Sequence, residues 1–167
     1  MAMVLIVLLV LILVLVVGGG IYLMTAYNGL VRLRNKIESA FAQIDVQLNR
    51  RHDLIPNLVE TVKGYATHEK ETLQAVIEAR NAAVAAEGTE AKAEAEGALS
   101  GMLRQVFALS EAYPDLKANT QFLDLQRQLS ETEDRIAYSR QYFNDNVRTY
   151  NTKIQSFPQN LIAKQMG

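Results

Sequence analysis

Residues 1 to 27 contain no charged side chain, and Val4 to Val17 is Val, Leu and Ile without exception. A helix needs about 18 to 20 apolar residues to cross the hydrocarbon core of a bilayer, and this run exceeds that. It predicts a transmembrane helix over residues 1–27. A cleavable signal peptide carries a positive segment before a shorter apolar core and a small-x-small site after it. Here no Lys or Arg precedes the run and no such site follows, so the expectation is a retained signal anchor with Tyr22 and Tyr27 at headgroup level.

Arg32, Arg34 and Lys36 follow the run directly. The excess of basic residues on the cytoplasmic side of membrane helices then predicts an N-terminus outside and the remainder of the chain in the cytoplasm. The same three cations lie within reach of anionic headgroups, so a topogenic use and a contact with lipid are both open. Gly18, Gly19 and Gly20 have two readings as well: close approach to another transmembrane helix, or simple loosening of this one.

Beyond Asn28 the uniform apolarity gives way to periodicity. Leu30, Leu33, Ile37, Phe41, Ile44 and Leu48 recur at spacings of three and four, one face of an amphipathic helix running to about Arg51. Pro56 stands three residues after Asp53, which predicts a fresh helix with an Asp N-cap and a proline in its first turn. Its stripe is Leu58, Val59, Val62 and Tyr65, weakened near Gly64, then Leu73, Val76, Ile77, Arg80 and Val84 up to Gly88. A third helix carries Leu99, Met102, Leu103, Val106 and Phe107. After the turn "YPDLKAN" (113–119), Asn119 is set to cap the last helix. There Phe122, Leu129, Ile136, Phe143, Tyr150 and Phe157 repeat at intervals of seven, beside Leu125, Val147 and Ile154. Between these, Thr132, Ser139 and Asn146 read as positions turned to solvent, with fixing of helix register as the alternative. The expected architecture is all-α: a transmembrane helix followed, over 28–167, by an antiparallel up-and-down four-helix bundle.

A formal net charge of −1, with both signs interspersed, offers no basic field for nucleic acid. With no Cys there is no thiolate ligand or cysteine nucleophile. Both histidines fall within "RRHDLIPNLVETVKGYATHEKE" (50–71). A zinc-hydrolase helix needs a second His four residues after the first, but position 72 is Thr, and His52 lies across the expected helix break from His68. Both therefore read as exposed or capping residues. Arg50, Arg51, Asp53, Glu69, Lys70 and Glu71 read as solvated helix faces. No catalytic residue, cofactor site or metal site is expected.

The stretches "YNGLVRLRN" (27–35), "AQIDVQLNRRHDLIPNLVETVKGYATHE" (42–69), "YPDLKAN" (113–119) and "FLDLQRQLSETEDRIAYSRQYFNDNVRTYNTKIQSFPQN" (122–160) resemble the LemA family of bacterial membrane proteins. The resemblance implies a transmembrane helix and a four-helix bundle at the bacterial cytoplasmic membrane, and it implies no catalytic residues. Within that family some members take part in building magnetosome membranes, and genes often lie beside those of membrane metalloproteases. Two roles follow as expectations. One is a scaffold that self-associates on the membrane lipids, with Tyr138, Tyr142 and Tyr150 offered to a neighbouring copy. The other is an adaptor or sensor for another membrane protein. An up-and-down bundle also expects Phe157, Pro158, Leu161 and Ile162 to lie beside the residues that follow the span.

Overall fold

The computed structural model describes residues 1–163, of which about 90% are helical, with no strand among them. The elements are α1 (Ala2–Lys63), α2 (Lys70–Ala85), α3 (Thr89–Ala112), the single turn α4 (Pro114–Lys117), α5 (Thr120–Gln155) and the short α6 (Gln159–Ala163). They divide into two compact units, residues 1–43 with 139–167 and residues 44–138.

In the second unit the core is formed by Ile55, Leu58 and Val62 of α1, Leu73, Val76 and Ala83 of α2, Leu99, Leu103 and Val106 of α3, Leu116 of α4, and Phe122, Leu125 and Leu129 of α5. Each set recurs at three or four residues, so one stripe of each helix is removed from water and the charged remainder is left outside. The α2 stripe closes on Ala83, which is buried, while Val84 is 56% exposed. Here α1 and α5 run antiparallel. The Asn119 amide donates to the Tyr65 hydroxyl (2.8 Å), and Arg51 donates to Glu133 (2.5 Å). Fourteen residues back from Tyr65 to Arg51 match fourteen forward from Asn119 to Glu133. Asn119 caps as expected: its side-chain oxygen accepts the backbone N–H of Phe122 at 2.8 Å. Gly88 precedes α3 with φ +82°, a conformation that L side chains rarely adopt.

The helix break expected at Pro56 is absent. Residues 52–56 lie inside α1, and the chain instead leaves the helix after Lys63, so the segment expected as one helix to Gly88 is the end of α1 plus α2. A proline inside a helix lacks the N–H that would bond the carbonyl four residues earlier, at a cost of about 3 kcal/mol. That carbonyl belongs to His52, and it accepts the Nε–H of Arg80 on α2 at 3.1 Å. A side chain from the neighbouring helix thus supplies the missing donor, and α1 continues.

The polar seam of α5 is also buried rather than solvent-facing. Thr132 is fully buried and Asn146 nearly so, while Ser139 is half-buried. Thr132 and Asn146 remain satisfied because each bonds the carbonyl four residues back on its own helix, Gln128 and Tyr142, at 2.7 Å.

In the first unit, Phe41 of α1 meets Phe143 of α5 with ring centroids 5.9 Å apart, and Leu30 is buried. Residues 2–24 of α1 are exposed throughout, and none of the apolar window fit to cross a membrane is covered by protein. Of the four tail residues placed beside the span by expectation, the Ile162 side chain lies outside the described residues.

Candidate functional site

The one concentration of buried charge in the second unit lies where α1, α3 and α5 converge. Arg51 and Glu96 are each 1% exposed and His52 is 5% exposed. Both α1 residues fit the apolar stripe, since Arg51 is three residues after Leu48 and four before Ile55. Glu96 likewise stands three before Leu99 on α3. The backbone periodicity that buries the leucines also buries these side chains.

The guanidinium of Arg51 is held on both terminal nitrogens. Its Nη1 donates to Ser100 Oγ (2.8 Å) and Glu133 Oε2 (2.5 Å). Its Nη2 donates to the carboxylate of Glu96 and to the Glu96 carbonyl (3.3 Å). Nε is buried without a partner. The other carboxylate oxygen of Glu96, Oε1, lies 2.9 Å from His52 Nε2. An ionised carboxylate only accepts, so Nε2 carries the proton and donates. Ser100 Oγ lies 3.1 Å from both the Glu96 carbonyl and Glu133 Oε1, and its single hydroxyl proton serves one of them at a time.

Burial by itself pushes the Glu96 carboxyl up. Hydrogen bonds from His52 and Arg51, with the charges of both, outweigh burial and hold it below the usual carboxylate value. Glu133 is half exposed and brings the solvent edge of the network to α5. A cavity of about 210 Å³ beside it is lined by Ser100, Leu103, Arg104, Phe107, Leu129 and Glu133 among others. A second tie between α1 and α3 joins Lys92 to Asp45 at 2.6 Å.

This network overturns two expectations. His52 is neither exposed nor a cap, and Arg51 is not on a solvated face; both are interior groups that fix α1 against α3 and α5. His68 is exposed as expected, as are Arg50, Asp53, Lys70 and Glu71. Glu69 is half-buried and accepts the Tyr113 hydroxyl at 3.0 Å, a bond that raises the tyrosine's pKa. The spacing of Arg51 and Glu96 within their stripes was the available signal, and it outranks their charge. These contacts tie α1 to α3 and α5. The guanidinium, the imidazole and the Glu96 carboxylate point at one another, while Glu133 also lines the cavity and meets solvent. Among the described residues no group of three or more His, Asp or Glu is arranged to hold a metal ion.

The residues singled out in the sequence stand apart from this network. Arg32, Arg34 and Lys36 are exposed on α1, and Arg34 lies 3.6 Å from Glu38 one turn on. Tyr138 and Tyr142 are 71% and 41% exposed on α5, whereas Tyr150 is half-buried.

The N-terminal stretch of α1 has a mean hydropathy of 3.3 over its most apolar 18 residues, which fits a single-pass membrane protein. Known proteins resemble the chain over most of its length. Protein LemA of Metamycoplasma hominis is 28% identical over 83% of this chain and 64% of its own. Magnetosome protein MamQ of Magnetospirillum gryphiswaldense is 25% identical over 87% of this chain and 63% of its own. Magnetosome protein MamQ 2 of Paramagnetospirillum magneticum is 25% identical over 84% and 61%. The chain thus spans a little over three-fifths of these relatives. The sequence profile of the LemA family matches residues 40–167, which include every residue of the buried network. With that match over most of its length, the chain belongs to the LemA family.

Proposed function

We propose that the protein is a non-enzymatic, membrane-anchored helical scaffold that self-associates and organises or shapes the bacterial cytoplasmic membrane, its helices forming an up-and-down four-helix bundle on the cytoplasmic side. The observation that carries this reading is α1 itself. One helix begins with an apolar stretch that no part of the protein covers and ends in the core of the second unit. The likeness to magnetosome proteins supports a role at a membrane, and the inward-facing chemistry of the buried network supports a structural one. Orientation rests on Arg32, Arg34 and Lys36.

Self-association is assigned to the exposed aromatic face of α5, chiefly Tyr138 and Tyr142. Cysteines introduced at either position, cross-linked in native membranes, should give a ladder of homo-oligomers. Monomer bands alone, with the cysteines shown to be accessible, would move the reading to an adaptor for another membrane protein. A groove of about 450 Å³ between the end of α1 and α2, lined by Val59, Lys63, Ala66, Leu73 and Ile77 among others, is the feature that favours the adaptor.

A further inference from the structure

Apart from residues 1–31, the longest stretch of the chain without a charged side chain is Ile154–Ala163, "IQSFPQNLIA". Both stretches belong to the first unit, in which α1 and α5 enter side by side at the Phe41–Phe143 contact. From that pair α1 continues toward lower numbers and α5 toward higher ones, so the two helices are antiparallel here. Eleven residues on from Phe143 is Ile154, half-buried, and eleven back from Phe41 is Leu30, buried. The helical hydrogen bonds of α5 reach Ser156, whose N–H bonds the Thr152 carbonyl at 3.0 Å. Counted on in the same register, the next residue, Phe157, falls opposite Tyr27. That is about 4.5 Å beyond Met24 at 1.5 Å rise per residue.

The segment from Ser156 to Leu161 is folded tightly at this level. Asn160 N–H bonds the Ser156 carbonyl (2.8 Å) and Leu161 N–H bonds the Pro158 carbonyl (3.2 Å). Pro158, Gln159 and Asn160 are half-buried, while Phe157 and Leu161, one turn apart, are 78% and 56% exposed. Two large apolar side chains thus project from an uncharged turn at the foot of an apolar helix that is itself uncovered.

We infer that Phe157 and Leu161 dock into the interfacial layer of the lipid bilayer that α1 crosses, giving the protein a second membrane contact just after α5. The absence of charge matters because a carboxylate at this depth would lose hydration without a partner. The exposed Gln155 amide keeps its hydrogen bonds among headgroups and interfacial water, and the Ser156 hydroxyl donates to the Thr152 carbonyl at 2.7 Å. Phenyl and isobutyl groups transfer favourably from water to the acyl boundary. Nearby Arg32 and Lys36 are exposed on α1 and suit the anionic headgroups just above. Two points of attachment, one in α1 and one after α5, hold the pair of helices at a fixed tilt where a lone span leaves it free.

The inference rests on the membrane reading of α1, and one experiment separates the two. The chain has no Trp, so each substitution to Trp creates a single tryptophan, excited apart from the tyrosines at the red edge of the absorption band, in the full-length protein. Phe157→Trp, Leu161→Trp, Tyr22→Trp and Arg148→Trp are reconstituted into vesicles of mixed zwitterionic and anionic phospholipid. Some vesicles carry lipids brominated on the upper acyl chain, and aqueous iodide is added to others. Tyr22→Trp reports the span, and Arg148→Trp, nine residues before Phe157 on α5, reports water. The expected result is loss of most emission to brominated lipid, with little response to iodide, at positions 22, 157 and 161, and the reverse at 148. Iodide quenching at 157 and 161, with lipid quenching kept at 22, overturns the second contact and leaves the anchor standing. Shielding of 157 and 161 from both quenchers means protein covers them and equally overturns it. Loss of lipid quenching at 22 removes the anchor and the inference together.

Discussion

The two ends of α1 invert the usual relation between polarity and burial. Residues 2–24 are almost wholly apolar and wholly exposed, whereas residues 48–62 place an arginine and a histidine among the most buried side chains of the chain. The first stretch is apolar all round, so no single neighbour can cover it, and only an apolar solvent suits it. The second has one stripe to bury, and whatever falls on that stripe goes inside, charged or not. Burial follows angular position around the helix axis, and charge decides only what partners must come along.

The largest test of this contrast removes a partner. Glu96→Ala leaves buried Arg51 with Glu133 as its one carboxylate partner and should destabilise the second unit by about 3–5 kcal/mol in a denaturant titration. His52→Ala should cost more than His68→Ala, because only the first empties a buried position. The acid limb of stability should also report Glu96. Its carboxyl is held below its unfolded value, so the stabilisation is complete above the usual carboxylate range and is lost as pH falls through the depressed folded value. Glu96→Gln should flatten that limb, and an unchanged acid transition would show that other carboxylates govern it.

At the other end of the helix, Leu11→Arg places a charge in the middle of the apolar run, at a cost of about 2.5–3.5 kcal/mol for insertion. A reduced fraction of protein floating with vesicles is the expected outcome. Undiminished flotation would mean the run does not cross the bilayer.

A finer test concerns the proline that α1 absorbs. Arg80→Ala should cost about 1–3 kcal/mol by leaving the His52 carbonyl without its donor. In a Pro56→Ala background the restored backbone N–H takes over, and the same Arg80 substitution should cost much less. Equal costs in both backgrounds would mean Arg80 contributes through packing alone. Smallest of all, Asn119→Ala should lose about 1 kcal/mol from the start of α5.

Much of the helical layout is legible in the sequence because stripe spacing is a local property. The Asn119 cap holds, Leu99, Leu103 and Val106 of α3 are buried, and the seven-residue repeat of α5 buries Phe122, Leu129 and Ile136 and half-buries Phe143 and Tyr150, but it fails at Phe157, which lies past the helix and is 78% exposed. Pro56 is misread for a physical reason: whether a proline ends a helix depends on who satisfies the carbonyl behind it. Arg80 lies 28 residues away. The buried network is missed by the same logic. Arg51 occupies a stripe position in plain view, but its partners at Glu96 and Glu133 are fixed only when α3 and α5 have been packed. The apolar anchor needs no such partners.

The sequence separations in that network set a timetable for synthesis. Arg51 must wait for Glu96, 45 residues later, and for Glu133, 82 residues later. At about 5–20 residues per second, the last of these emerges roughly 4–16 s after the arginine. During that interval the apolar start of α1 is already available to a membrane, while the arginine and histidine behind it have only water for company. A nascent chain halted between residues 112 and 133 would hold the α2–α3 hairpin, built from neighbours in sequence, but lack the Glu133 half of the clasp that locks α1. Translation order thus presents the apolar run of α1 well before Arg51 can be closed in by α3 and α5.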